Sequence, residues 1–309
     1  MKKTMIALAT IAAVGAASAQ VTLTGGVSAA FQSVTTASGT VAGLAMTDNT
    51  LYVGANEDLG GGMKVSAAWS IENDTARGSG FARGDQSVSL TTPIGAFAVL
   101  NTRSGGAQSS VLVAPVNLSA DQWTSAADGA AGKGVIYRSA IDVLAFTMPV
   151  AEGLTASVKY LEAADGAVKP AGTTYALGAS YTTGGLKIAG DYVSTTYEPA
   201  KASNIQTTST NLQVIYDAGV AKVGLGYDSS RRGFTSADKA ATLMGISVPL
   251  GAITVGMNYG SRGDASFTHL GAQYDLSKRT NVNASWGQKK DGAADDTYSN
   301  YRLSLNHSF

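Results

Sequence analysis

The sequence predicts an all-β protein: a 16-stranded antiparallel transmembrane β-barrel with short turns at one end and long loops at the other. Three observations lead there. The 309 residues include 37 glycines and 6 prolines and only 14% are charged, which is odd for a soluble β-protein. Beyond residue 19 no apolar run reaches the length of a membrane-crossing helix, whereas a barrel keeps moderate hydropathy because lipid-facing and lumen-facing residues alternate. Finally, alternating segments join in pairs across very short turns, and longer polar loops separate the pairs, as in an outer-membrane barrel.

The first element is a leader, "MKKTMIALATIAAVGAASAQ". Lys2 and Lys3 form a positive start, Met5 to Ala16 an apolar core, and Ala17-Ser18-Ala19 a small-x-small cleavage site. Residues 1–19 are therefore expected to be a cleaved Sec signal peptide, and 20–309 a single barrel domain. The leader holds two of the 22 basic residues and none of the 22 acidic ones, so the mature net charge is −2. No basic excess points to a nucleic-acid partner. With no cysteine, disulfides, thiolate metal sites and thiol nucleophiles are excluded.

The strands follow in order. "QVTLTGGVSAAFQS" (20–33) opens the series. "NTLYVGAN" (49–56) turns at "EDLGGG" into "MKVSAAWSIEND" (63–74), and "DQSVSLT" (85–91) turns at "TPIG" into "AFAVLNTR" (96–103). "GVIYRSAIDVLAFTM" (134–148) leads to "LTASVKYLE" (154–162), and "TYALGASY" (174–181) to "LKIAGDYVS" (186–194). "STNLQVIY" (209–216) leads to "VAKVGLGYDS" (220–229), and "ATLMGISV" (241–248) to "AITVGMNYGS" (252–261). "FTHLGAQY" (267–274) turns at "DLSK" into "RTNVNASWGQ" (279–288), and "YSNYRLSLNHSF" (298–309) ends the chain. Seven hairpins and two terminal segments make sixteen strands, enough to enclose a water-filled lumen.

Alternation assigns the faces. Met63, Val65, Ala67, Trp69 and Ile71 are expected to meet lipid, and Lys64, Ser66, Ala68, Ser70 and Glu72 the lumen. In 267–274, Leu270, Ala272 and Tyr274 fall outside, and His269, Gly271 and Gln273 inside. A Lys or Arg at the lipid midplane would cost roughly 2–4 kcal/mol, so the charges belong inside. Tyr160, Tyr181, Tyr192, Tyr216, Tyr227, Tyr259 and Tyr274 recur near strand ends, where aromatic girdles sit. A soluble sandwich alternates too, but small interior residues could not fill its core. The last stretch, "YRLSLNHSF", points Tyr301, Leu303, Leu305 and Phe309 to lipid. It is expected to meet the first strand and remove both edges, with His307 anchoring at the interface.

Three stretches carry a resemblance. "ANEDLGGGMKV" (55–65) resembles the first periplasmic turn of the Gram-negative general porins of the proteobacterial type, with neisserial and burkholderial members. "YDLSKRTNV" (274–282) is similar to their last turn and "NHSF" (306–309) to their terminus. "FARGDQSVSLTTPIGAFAVLNTR" (81–103) is a weaker match to the strand pair ahead of their constriction loop. The resemblance implies an infolded third loop and a homotrimer in which each protomer is a pore. It also implies outer-membrane lipid and lipopolysaccharide as surroundings, and an assembly machinery that reads the terminal Phe309. The chain departs from the family pattern at Asn101-Thr102-Arg103, which keeps only a basic residue, and at Thr50, where an arginine is usual.

The candidate site is the pore. The loop at 104–134 has no hairpin pattern of its own, and structureless loops of that length are often functional. The resemblance makes it the constriction loop, with "VLVAPVNL" (111–118) against the wall and Asp121, Gln122 and Asp128 offered to the pore. Arg83, Arg103 and Arg138 are expected to adjoin it as the basic side, with Arg77 and Lys64 behind. Asp85 and Glu72, also inward, would neutralise part of that cluster. Opposed charges across a pore make a transverse field that orients solutes and filters ions. The missing arginine at Thr50 weakens any anion preference carried over from the family.

Other chemistry finds little support. "EDLGGGMK" is not a phosphate loop, since no Lys-Ser/Thr and no helix follow; Asp58 and Gly60 to Gly62 read as turn chemistry. The chain has two histidines, His269 and His307, and no Gly-x-Ser-x-Gly elbow, so no enzyme activity is expected. Asp295 and Asp296 could meet a divalent cation, but nothing specifies one, and no cofactor is expected. The expected function is passive diffusion of small hydrophilic solutes and ions across the outer membrane. The alternatives are a substrate-specific channel with a lumen site and a non-conducting structural or adhesive barrel.

Overall fold

The structure, a computed structural model, describes residues 20–36, 38–73, 82–103, 110–118, 135, 140–163, 172–197, 208–229, 240–290 and 297–309. They form sixteen strands: β1 (Gln20–Thr36), β2 (Gly39–Gly60), β3 (Met63–Asn73), β4 (Ala82–Thr92), β5 (Gly95–Arg103), β6 (Ala140–Ala151), β7 (Leu154–Ala163) and β8 (Gly172–Thr183). The second half comprises β9 (Leu186–Tyr197), β10 (Thr208–Asp217), β11 (Lys222–Asp228), β12 (Ala241–Leu250), β13 (Ile253–Arg262), β14 (Ala265–Ser277), β15 (Thr280–Lys290) and β16 (Thr297–Ser308). Each strand pairs antiparallel with its neighbours in sequence, and β1 pairs with β16, so the sheet is a closed barrel. Closure leaves no unpaired edge to template association.

The alternation follows the expectation. Trp69 is 46% exposed on the outer wall while its neighbour Ser70 is 1% exposed within. Leu270 and Tyr274 lie outside and His269 and Gly271 inside. Tyr181, Tyr192, Tyr216, Tyr227, Tyr259 and Tyr274 are exposed, and Tyr160 packs on Tyr175 at 5.6 Å between ring centres. Tyr301, Leu303, Leu305 and Phe309 are all exposed, as expected of β16. Beyond its last ladder pair, Gly26 with Ser308, the Phe309 N–H donates to the Gly25 carbonyl (3.0 Å) and the Gly25 N–H to the Phe309 carbonyl (3.1 Å). A Cβ at Gly25 would strike the Phe309 ring, so the glycine makes room for it. His307 shares the outer face, with Nδ1 3.0 Å from the Thr280 hydroxyl.

The turn reading of "EDLGGGMK" also holds. Gly60, Gly61 and Gly62 have φ of 75°, 61° and 79°, and the Asp58 carboxylate accepts the Gly60 N–H at 2.8 Å. These are left-handed positions that favour glycine, stapled by an Asx contact.

Three boundaries differ. β2 begins at Gly39, ten residues before the expected start at 49, and only residues 37–38 separate it from β1. At the same end of the barrel, residues 263–264 join β13 to β14, so two of the connections expected to be long are tight hairpins. Val135 lies outside β6, which starts at Ala140 rather than 134. Ala30 and Ala68 face the lumen, whereas Ala29 and Ala67 face outward.

Candidate functional site: a loop segment seated on the lumen wall

Residues 110–118 lie inside the barrel along the wall formed by β10 to β16. The seat begins with glycine. Gly224, Gly245, Gly256, Gly271 and Gly287 sit on the lumen face of five successive strands, β11 to β15. A Cβ at Gly224 or Gly245 would overlap the Val111 carbonyl, at Gly256 Ala114, at Gly271 the Pro115 carbonyl, and at Gly287 the Leu118 side chain. The absent side chains form a groove into which another backbone can settle, a use of strand glycine that costs sheet propensity.

Polar groups on both sides complete the fit. Ser110 Oγ donates to Gln213 Oε1 (2.7 Å), and Ala114 N–H to Asn258 Oδ1 (3.1 Å). Asn283 Nδ2 donates to the Pro115 carbonyl at 2.6 Å. Asn117 donates its N–H to Ser285 Oγ (2.9 Å) and its amide to Ser304 Oγ and Asn306 Oδ1 (2.9 Å each). Arg302, 5% exposed, donates to the Asn117 carbonyl (3.2 Å) and to Gln32 Oε1 (3.1 Å), tying the segment to β1. Pro115 offers no N–H here and has none to satisfy.

Apolar packing anchors both ends of the loop. Val111 and Val135 join Ala241, Leu243, Ala265 and Phe267 in a small core inside the cylinder, with Leu112 and Ile215 against it. Burying a valine completely, as at Val111 (0% exposed), contributes about 1.5–3 kcal/mol. Arg262 pairs with the fully buried Asp228 and donates Nε to the Val135 carbonyl at 3.0 Å. Removing one partner of such a buried pair costs about 3–5 kcal/mol, since the other charge is stranded.

The other wall presents ionic groups to the lumen. On β7 to β9, Lys159 Nζ meets Asp191 Oδ1 at 2.8 Å, and Lys187 is exposed with no ion-pair partner among the described residues. They line a recess of about 320 Å³ with Ser157 and Ser180. On β3, Lys64 is exposed on the lumen face, and Glu72 stands on the same face opposite Thr50. The Ser70 hydroxyl lies 3.5 Å from the Glu72 carboxylate and 3.3 Å from the Asp85 carbonyl. Asp85 is exposed where β3 and β4 slip register.

The remaining expected pore residues are Arg83, Arg103, Arg77, Arg138, Asp121, Gln122 and Asp128. Arg83 and Arg103 occupy strand positions opposite Ile71 and Ala140, but their side chains fall outside the described residues. Arg77, Arg138, Asp121, Gln122 and Asp128 lie outside the described residues altogether. The sequence reading missed the glycine seat, the Lys159–Asp191 pair and Lys187. A signal existed: "VGLGYD", "LMGISV", "VGMNYG", "HLGAQY" and "SWGQKK" each put a glycine on the inward phase of a strand.

On the outer wall Asn101 Nδ2 donates to Asp142 Oδ1 at 2.6 Å. The pair borders a groove of about 660 Å³ floored by Ala55 and Ala67 and walled by Trp69, Val88 and Val99.

A family model described as Gram-negative porin matches residues 4–294. Among solved structures, the chain is similar to an anion-selective porin from Comamonas acidovorans, with 20% identity and a TM-score of 0.71 over 94% of this chain and 100% of that one. A triple mutant of a Rhodopseudomonas blastica porin aligns over the same shares with 15% identity and a TM-score of 0.59. No curated protein sequence matches significantly.

Proposed function

This chain belongs to the Gram-negative porin family and is an outer-membrane channel for solute diffusion, and from that premise we propose that it is a general porin passing small hydrophilic solutes and ions. The observation that carries the reading is the seat of 110–118. One loop segment, 110–118, lies along a single arc of a closed cylinder and narrows the lumen on that side. The rest of the loop, 104–134, then forms the constriction, with Asp121, Gln122 and Asp128 facing a basic side of Arg138, Arg77 and Lys64. The channel is not an enzyme. Its first 19 residues are a cleaved export signal, and lipid and lipopolysaccharide surround the barrel. The assembly machinery reads its Phe309 end.

A homotrimer, each protomer with its own pore, is the expected assembly. The outer groove over Ala55 and Ala67 supports it: Asp142 and Asn101 are polar groups on a face that would otherwise meet lipid. Planar-bilayer recording tests the whole reading. Stepwise conductance in threes is expected, and a purified, folded barrel without conductance would overturn it. A second reading, a channel with a substrate site, draws support from the recess that Lys159, Lys187 and Asp191 line.

A further inference from the structure

We propose that the recess on β7 to β9 is a binding site for a small, elongated sugar-acid anion, one carboxylate at one end and hydroxyl groups along its length. The proposal rests on the channel reading and adds a ligand class to it. The charge argument comes first. Of the three ionic groups in the recess, Lys159 and Asp191 neutralise each other at 2.8 Å, which leaves the Lys187 ammonium as the free charge among the described residues. The site thus carries a net charge of +1 and favours an anion over a cation or a neutral sugar.

Shape sets the second requirement. Lys187 and Asp191 are four residues apart on the lumen face of β9, about 13 Å along the strand at roughly 3.3 Å per residue. A compact anion can touch only one end. An extended chain of about six carbons, with the reach of the Lys187 side chain added, meets both. Between the ends the floor is Ala189, Ser157 and Ser180, small groups that leave space and offer hydroxyls. Gly178 keeps this arrangement open: a Cβ there would overlap the Asp191 carboxylate and the Ser157 hydroxyl. Asp191, held by Lys159, keeps lone pairs to accept from a solute hydroxyl, which a purely cationic patch could not offer. Ser110, bonded to Gln213, borders the recess where the seated loop begins. A solute bound there lies beside the narrowed part of the lumen and obstructs ion flow while it stays.

The test is single-channel recording in KCl with gluconate as the probe and acetate, an anion of equal charge but no hydroxyl chain, as the comparison. Millimolar gluconate should interrupt the current of the parent channel and acetate should not. Lys187→Gln should raise the half-blocking gluconate concentration about tenfold, or about 1.4 kcal/mol, with Lys187→Arg retaining most of the block. Current in KCl alone reports that each variant has folded and inserted. Two outcomes overturn the site: gluconate and acetate acting alike on a conducting parent, or equal block in Lys187→Gln. Absence of KCl current from the folded parent would instead overturn the channel reading itself.

Discussion

At Gly271 the wall and the loop leave no room between them: any Cβ there meets the Pro115 carbonyl and the Val116 side chain. Gly271→Leu should therefore leave the barrel standing and evict the segment above it. The overpacking costs roughly 1–3 kcal/mol, borne by a loop held on one side by lumen water. Single-channel conductance should rise, and protease cleavage within 104–134 should accelerate in detergent-purified protein. Unchanged values of both would mean the glycine track is not the seat. No local rule reveals that role for Gly271. Its inward phase was legible from the alternation of 267–274, but its contact is with a residue 156 positions earlier. The same holds for Lys187 and Asp191, whose relation to Lys159 depends on the register of three strands.

Among the elements, the strands were the most legible, because each repeats its own evidence every two residues. β2 shows where that evidence breaks. Met46 and Leu51 both face out although five residues separate them, because three steps of β2, Thr47 to Thr50, oppose two of β1, Gly26 to Ser28. The bulge shifts the phase, and the Asn49 side chain accepts the Ser28 N–H (3.0 Å) at the slip. Read from 49 onward, the earlier half of the strand falls out of step and passes for loop. The seated segment 110–118 was legible only in outline: its apolar residues marked it for a wall, while which wall depends on partners such as Asn258 and Ser285. Asn117→Ala tests this element. Loss of its amide bonds to Ser304 and Asn306 should cost the seat about 1–2 kcal/mol, since lumen water compensates in part. Hydrogen exchange at 111–118 should quicken by about an order of magnitude, with the β15–β16 ladder unaffected. Equal exchange would place the anchoring elsewhere.

For the whole molecule, closure is the decisive event, since neither β1 nor β16 has a second partner until they meet. Phe309 contributes two backbone bonds to Gly25 and a ring laid over it. Phe309→Ala keeps the bonds and removes the ring, so it should lower the yield of heat-modifiable folded barrel several-fold while each folded pore conducts as the parent does. Normal yield with altered conductance would contradict that division.

The seated segment has a mechanical consequence as well. It is fastened to β10, β13, β15 and β16, and through Arg302 to β1, so it acts as a splint along one arc of a thin elastic shell. A tube stiffened on one side does not flatten evenly when squeezed; it buckles where it is bare. Lateral pressure from the bilayer would then be taken up by the arc from β2 to β9, the arc that carries Lys64, Lys159 and Lys187, and the aperture would change outline by the travel of that wall alone.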